Sequence, residues 1–264
     1  MQKLCRYVRF SINPFLPVDE PGYNSFASKP AGDGLSVFLE MGVELAAAPD
    51  PATGLIVNVS DIDKILRDYA VPVFAEKIRA SFGNAHHIGY DDLAKLLKAG
   101  WGKLADRFDP AKLSRLSLKL DPFRTMALNE ADDAMVYYSE KFEFAAAHKL
   151  WNERFSEKHN IEVFGRCANP AGHGHNYIVE VTVKWPQSKG PATRDFEKVV
   201  YEKLIKVVDH KNLNEDVTEF RQANPTVENI AVFAWKKLFD KFAGATLHCV
   251  TVWESEKTYC SYYG

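Results

Sequence analysis

Residues 142–148 read FEFAAAH and residues 173–184 read HGHNYIVEVTVK. Phe142, Phe144, Ala146 and His148 fall on alternate positions, as do His173, His175, Tyr177, Val179, Val181 and Val183, the period-two pattern of strands. Downstream, DFEKVVYEKLIKVV (195–208) sets Phe196, Val199, Val200, Leu204, Val207 and Val208 at helical spacing. Thr226 then precedes ENIAVFAWKKLFDKF (228–242), a second helix with an apolar stripe and an acidic first turn. LHCVTVWE (247–254) and TYCSYY (258–263) close this half as strands. The order is strand, strand, helix, helix, strand, strand, an α+β arrangement.

The N-terminal half reads the same way. VRFSI (8–12) and SVFLEMGVELAAA (36–48) look like strands, and DPATG (50–54) is a turn signal. VSDIDKILRDYAVPVFAEKI (59–78) is helical, with Pro72 forcing a kink or break. YDDLAKLLKAGWGKLADRF (90–108) is a helix and LSRLSLKL (113–120) a strand. Trp101 and Trp235, Phe108 and Phe242, Leu113 and Leu247, and Phe10 and Phe144 are each 134 apart (235 − 101, and so on). One offset and one element order predict an internal duplication. The boundary falls near RTMALNEADDAM (124–135), giving domains at 1–130 and 131–264.

Lysine and arginine total 33 against 35 acidic residues, a formal net charge of −2. That excludes the global basic field nucleic-acid binding usually needs, so an anionic ligand must be held by a local cluster. No apolar run approaches the ~18 residues of a membrane span. The start, MQKLCRYVRF, lacks the apolar core of a secretory signal. Cys5, Cys167, Cys249 and Cys260 show no paired short spacing, which points to a reducing cytoplasm. The expectation is a cytoplasmic protein with neither nucleic-acid nor membrane partners.

His173 and His175 lie two apart on a strand, so both imidazoles project from one face. His148 closes the preceding strand; if the two strands pair, three rings converge on one point. Three neutral imidazoles leave tetrahedral Zn²⁺ an open fourth position, a catalytic arrangement. Cys167, six residues before His173 in CANPAGHGH, folds back towards the metal through a loop with Pro170 and Gly172. Near Zn²⁺ or a partner base its pKa falls and it can act as base or nucleophile. It can equally be a fourth ligand or an inert buried thiol. Asp209 and His210 in VVDHKNLN have the makings of a relay in which the carboxylate fixes the imidazole tautomer. Glu254 ends an apolar strand, where a carboxylate can take two parallel N–H bonds from a guanidine-like ligand edge. Glu228 is a second such anchor or part of a capping box.

Together FEFAAAH, FGRCANPAGHGHNY, DHKNLN, NPTVENIAVFAW and VTVWES resemble the 6-pyruvoyltetrahydropterin synthase family over roughly residues 135–264. The resemblance implies the tunnelling fold, a four-stranded antiparallel sheet with two helices inserted after the second strand. Applied to both halves, it implies two tandem domains of that fold. It makes His148, His173 and His175 zinc ligands, Cys167 the catalytic cysteine, and Asp209–His210 the relay. Glu254 becomes the pterin-anchoring carboxylate, with Thr226 and Glu228 lining the pterin pocket. It implies conversion of 7,8-dihydroneopterin triphosphate with elimination of triphosphate and no external redox cofactor. Lys149, Arg166 and Lys211 flank the motifs as candidates for the phosphates. Alternatives are a 6-carboxytetrahydropterin synthase of queuosine biosynthesis and a non-catalytic pterin-binding assembly protein. The six-residue spacing from Cys167 to His173 resembles the pyruvoyl-forming type, because the carboxy type usually has four.

The usual D-P-x-T-G turn is shortened to KGPATRDF (189–196) here, while DPATG survives in the N-terminal half. At the 134 offset His148 falls on Pro14, His173 on Leu39, His175 on Met41, Cys167 on Asp33, and Glu254 on Leu120 or Asp121. The N-terminal half therefore reads as a scaffold without a metal. His86 and His87 read as surface or interface residues. By resemblance, the assembly is a homo-oligomer of three chains in which C-terminal halves contact each other.

Overall fold

The computed structural model describes residues 1–17, 34–187 and 193–264. Two compact units divide the chain: Met1–Tyr138 with Pro186–Gly190, and Ser139–Trp185 with Pro191–Gly264.

In the first unit, β1 (Gln2–Ile12), β2 (Val37–Ala47), β3 (Lys112–Lys119) and β4 (Arg124–Asn129) form an antiparallel sheet in that order. Alternation buries Val8, Phe10 and Ile12 of β1 with Leu39, Met41, Val43 and Leu45 of β2. Between β2 and β3 run α1 (Val59–Ile65), a π-helical turn (Leu66–Ala70), α2 (Val71–Gly83) and α3 (Tyr90–Leu104). The break expected at Pro72 is this turn. Pro72 has no N–H and its ring crowds the preceding turn, so the backbone widens and Val71 N–H bonds Leu66 O. β4 lies in the stretch the sequence offered only as a boundary; it is short, and no alternation marks it.

The second unit contains residues 139–148 of β5 (Met135–His148), then α4 (Glu157–Phe164), a 3₁₀ turn (Gly165–Ala168) and β6 (His173–Pro186). After it come α5 (Thr193–Val200), a π-helical turn (Tyr201–Ile205), α6 (Lys206–Val208), β7 (Lys211–Asn212) and α7 (Leu213–Asp216). α8 (Val227–Leu238), β8 (Thr246–Ser255) and β9 (Thr258–Tyr262) complete it. Its sheet order is β5-β6-β8-β9, with β7 pairing parallel to β5. The single helix expected over 195–208 is interrupted by the π turn, where Lys206 N–H reaches Tyr201 O. Nothing in the local sequence requires it.

Pairing with the third strand corrects the match between the two halves. Met41 faces Leu118 and Val179 faces Val252; Leu45 faces Leu113 and Val183 faces Leu247. The third strands keep the 134 spacing (252 − 118), but the second strands stand 138 apart (179 − 41). Both second strands break register at the matching place, Glu44/Leu45 and Thr182/Val183. The counterparts of His173 and His175 are therefore Leu35 and Val37, not Leu39 and Met41. Loop lengths differ by four residues on either side of the strand, which an ungapped offset cannot detect. Asp33 and residues 189–192 of KGPATRDF lie outside the described residues.

Candidate metal centre

His148 ends β5, and His173 and His175 begin β6. Nε2 of His148 lies 3.0 Å from Nε2 of His173, and one nitrogen from each of the three rings lies within 4.8 Å of the others. His148 is 1% exposed, and its Nδ1 stands 2.7 Å from the carbonyl oxygen of Pro225. Only an N–H can face a carbonyl at that distance, so Nδ1 carries the hydrogen and Nε2 presents its lone pair. Two imidazole lone pairs at such a separation repel each other unless a cation or proton lies between them. His173 Nδ1 and His175 Nε2 are buried without a hydrogen-bond partner, a destabilising state that coordination of His175 Nε2 would relieve. Burial pushes His148 below its ordinary pKa against the Pro225 bond, which raises it; burial and then His175 push His173 down. Neutral imidazoles with converging lone pairs fit a divalent transition-metal ion. Among the described residues this is the one cluster of three that can hold a metal.

Trp253 pairs with Ile178, and the next residue, Glu254, reaches the histidines. Its Oε1 lies 3.4 Å from His148 Nε2 and 3.5 Å from His175 Nε2. The Cys167 turn packs against the chain beyond His148, with Leu150 N–H donating to Cys167 O at 2.9 Å. The expected lowering of the thiol pKa does not arise from the protein groups alone: burial raises it, and the Glu254 charge adds to that. Gly172, at φ +69, lets the chain pass so close that a Cβ there would stand 2.9 Å from His148 O.

Asp209 and His210 follow α6 and dock on the edge of β5. Asp209 Oδ1 accepts Ala145 N–H at 2.9 Å, and His210 N–H donates to Ala145 O at 2.6 Å. β7 then continues the pairing at Ala146 and Ala147. The Ala145 amide, and then His210, hold the Asp209 carboxyl below its usual range. His210 Nδ1 lies 3.0 Å from Asp209 Oδ2, but the imidazole is 83% exposed. It shares a shallow depression with His175, and among the described residues no hydrogen bond or ion pair joins it to Cys167.

Thr226 caps α8 by accepting Asn229 N–H at 3.3 Å. Glu228 is exposed and sits one residue too early for a capping box, so that alternative fails. Its charge is felt at Cys260. Lys149 borders a cavity beside His148; Arg166 and Lys211 are exposed and lie outside that wall. Sequence reasoning missed the Pro225 carbonyl, which has no side-chain signal. It also missed Tyr177 as a site neighbour: this fully buried phenol lies 3.4 Å from His148 Nδ1, and burial raises its pKa strongly.

In the first unit, Pro14 stands 134 positions before His148, and Leu35 and Val37 stand 138 before His173 and His175. Pro14, Leu35 and Val37 line an apolar pocket of about 610 Å³ with Phe15, Leu16 and Phe82, and none of these side chains can ligate. His86 and His87 are exposed.

A four-stranded antiparallel sheet with helices inserted after its second strand, and three histidines able to hold a metal at the junction of its first two strands, defines an α+β protein of the tunnelling fold. A family model described as 6-pyruvoyl tetrahydropterin synthase matches residues 137–264. Human 6-pyruvoyl tetrahydrobiopterin synthase is 37% identical over 132 residues, covering 48% of this chain and 90% of that protein. The Drosophila melanogaster protein of the same name is 36% identical over 126 residues, covering 46% and 75% respectively. The solved structure of Caenorhabditis elegans 6-pyruvoyl tetrahydropterin synthase is 33% identical, with a TM-score of 0.46 over 49% of this chain and 96% of that one. The chain belongs to the 6-pyruvoyl tetrahydropterin synthase family, through its C-terminal half.

Proposed function

We propose that the C-terminal half is a zinc-dependent enzyme that converts 7,8-dihydroneopterin triphosphate to 6-pyruvoyltetrahydropterin with loss of triphosphate. The observation that carries this is the meeting of His148, His173 and His175 with Glu254 against them, the Cys167 turn being bonded to Leu150 two residues beyond His148. The three imidazoles would hold Zn²⁺, which supplies Lewis acidity towards the substrate's side-chain hydroxyls. Cys167 takes and returns a proton at the side-chain carbons once its thiol is ionised, the work of a positioned general base. Glu254 accepts two N–H bonds from the 2-amino-pyrimidinone edge, turning part of its carboxylate away from the histidines. Thr226 and Glu228 line the pterin end. Asp209 orients His210 as the partner base, and the exposure of that imidazole supports a role towards a site on a second copy.

We further infer that the chain is a tandem of two tunnelling-fold domains, 1–130 and 131–264, the first without a metal site. The matching register breaks support this, as do the two π turns and the left-handed glycines Gly34 (φ +66) and Gly172 (φ +69). The test is to incubate zinc-loaded protein with dihydroneopterin triphosphate and identify the product by mass spectrometry. A pyruvoyl product upholds the reading; a carboxy product or none overturns it.

A further inference from the structure

A cavity of about 710 Å³ opens beside His148, entirely within the second unit. Its wall includes the cations Lys149, Arg154 and Arg221 against the carboxylates Glu153 and Glu215, an excess of one positive charge. Most of the remaining polar wall is uncharged amide from Asn152, Asn214, Gln222 and Asn224. A bound divalent ion at the histidines would add two more charges at one end.

The wall is held rigidly. Asn214 Oδ1 accepts Lys149 N–H at 2.7 Å and its Nδ2 donates to Lys149 O at 3.0 Å. Asn224 Oδ1 accepts Trp151 N–H at 2.9 Å, and the fully buried Asn160 accepts Asn152 N–H at 2.8 Å. The chain carrying Lys149 and Arg154 is thus fixed from three sides before any ligand arrives, which lowers the ordering cost of binding. Arg221 spends Nε and Nη2 on Glu215 O, at 3.3 and 3.0 Å, leaving Nη1 uncommitted. The Arg154 guanidinium has no hydrogen bond or ion pair among the described residues.

We propose that this cavity is the subsite for the polyphosphate tail of the substrate, with Arg154 and Arg221 as its anion-binding side chains beside Lys149. The assignment of the tail rests on the function proposed above. Guanidinium forks match phosphate oxygens, and His148, one of the three clustered histidines, forms part of this cavity's wall. Arg166 and Lys211, which the sequence offered for this role, do not border it.

Binding of inorganic tripolyphosphate to the full chain, metal-free and zinc-loaded, is to be measured by calorimetry. Arg154→Ala/Arg221→Ala is expected to weaken it about 10- to 100-fold in both states. In turnover the same variant raises KM by a similar factor and changes kcat less. Arg154→Lys/Arg221→Lys recovers part of the affinity, because the charge returns without the fork. Lys158→Ala, on the exposed side of α4, should match wild type. Unchanged tripolyphosphate affinity in the double alanine variant overturns the subsite, as does binding only by the zinc-loaded protein. Arginine-dependent binding in a protein that forms no pterin product keeps the anion site and sinks the pterin reading instead.

Discussion

At the residue scale the centre depends on how each polar atom is matched. The Pro225 carbonyl fixes the His148 tautomer, and the unpartnered nitrogens of His173 and His175 sit beside it. Cys167 belongs to the proton-transfer machinery in our reading, not to the metal. Cys167→Ala should therefore lower turnover by about 10²–10⁴-fold, the usual worth of a general base, with zinc content nearly unchanged by elemental analysis. Loss of zinc in that variant would make the thiol a ligand. Glu254→Gln should weaken substrate binding by about 1.5–3 kcal/mol, since charge-assisted bonds become ordinary ones and the amide's donor end meets a ligand donor. Steady-state kinetics decide this: an unchanged KM and turnover would return Glu254 to a mere strand end.

At the element scale the centre is made by two strand ends and the chain that crosses between them. Gly172 and Gly34 stand at matching places with the same left-handed backbone, yet their surroundings differ. Gly172→Ala meets both the conformational penalty, about 1–2 kcal/mol, and a clash with the His148 carbonyl. Gly34→Ala meets only the first, since nothing lies within 4 Å of its added Cβ. Thermal melting with zinc titration checks the contrast: Gly172→Ala should lose metal affinity as well as stability, and Gly34→Ala only stability. Equal behaviour of the two variants would show that the close passage at His148 does not matter. The two π turns sit at corresponding places, but only one has a proline to cause it. Local chemistry thus explains Leu66–Ala70 and leaves Tyr201–Ile205 to tertiary packing.

At the scale of the whole molecule, the second unit gathers three histidines that could hold a metal, while Pro14, Leu35 and Val37 line an apolar pocket in the first. One zinc per chain is expected by elemental analysis, lost in His173→Ala/His175→Ala; two zincs, or retention in that variant, would contradict the assignment. His210, exposed on the edge of β5 beside the half-buried Asp209, has a use if a second C-terminal half comes against it. Sheet edges left open also favour joining of copies. We expect three chains in the assembly by light scattering, and a monomer would rule this out.

Alternation and helical spacing alone determined most of the elements, because a half-buried strand or helix writes its period into the sequence. That is why His148, His173 and His175 were legible as one site: strand period and the H-G-H spacing set their faces. Loop context and side-chain chemistry singled out Cys167, Asp209, His210 and Glu254 as candidates, and the motif resemblance gave them their roles. Only the tertiary structure could decide the rest. Strand register showed the 138 spacing that an ungapped comparison hides. Packing placed Glu254 against His148 and turned His210 outwards. It also gathered Arg154 and Arg221, 67 positions apart (221 − 154), into one cavity. Register and long-range packing depend on which chain segments meet in space, and no local period records that.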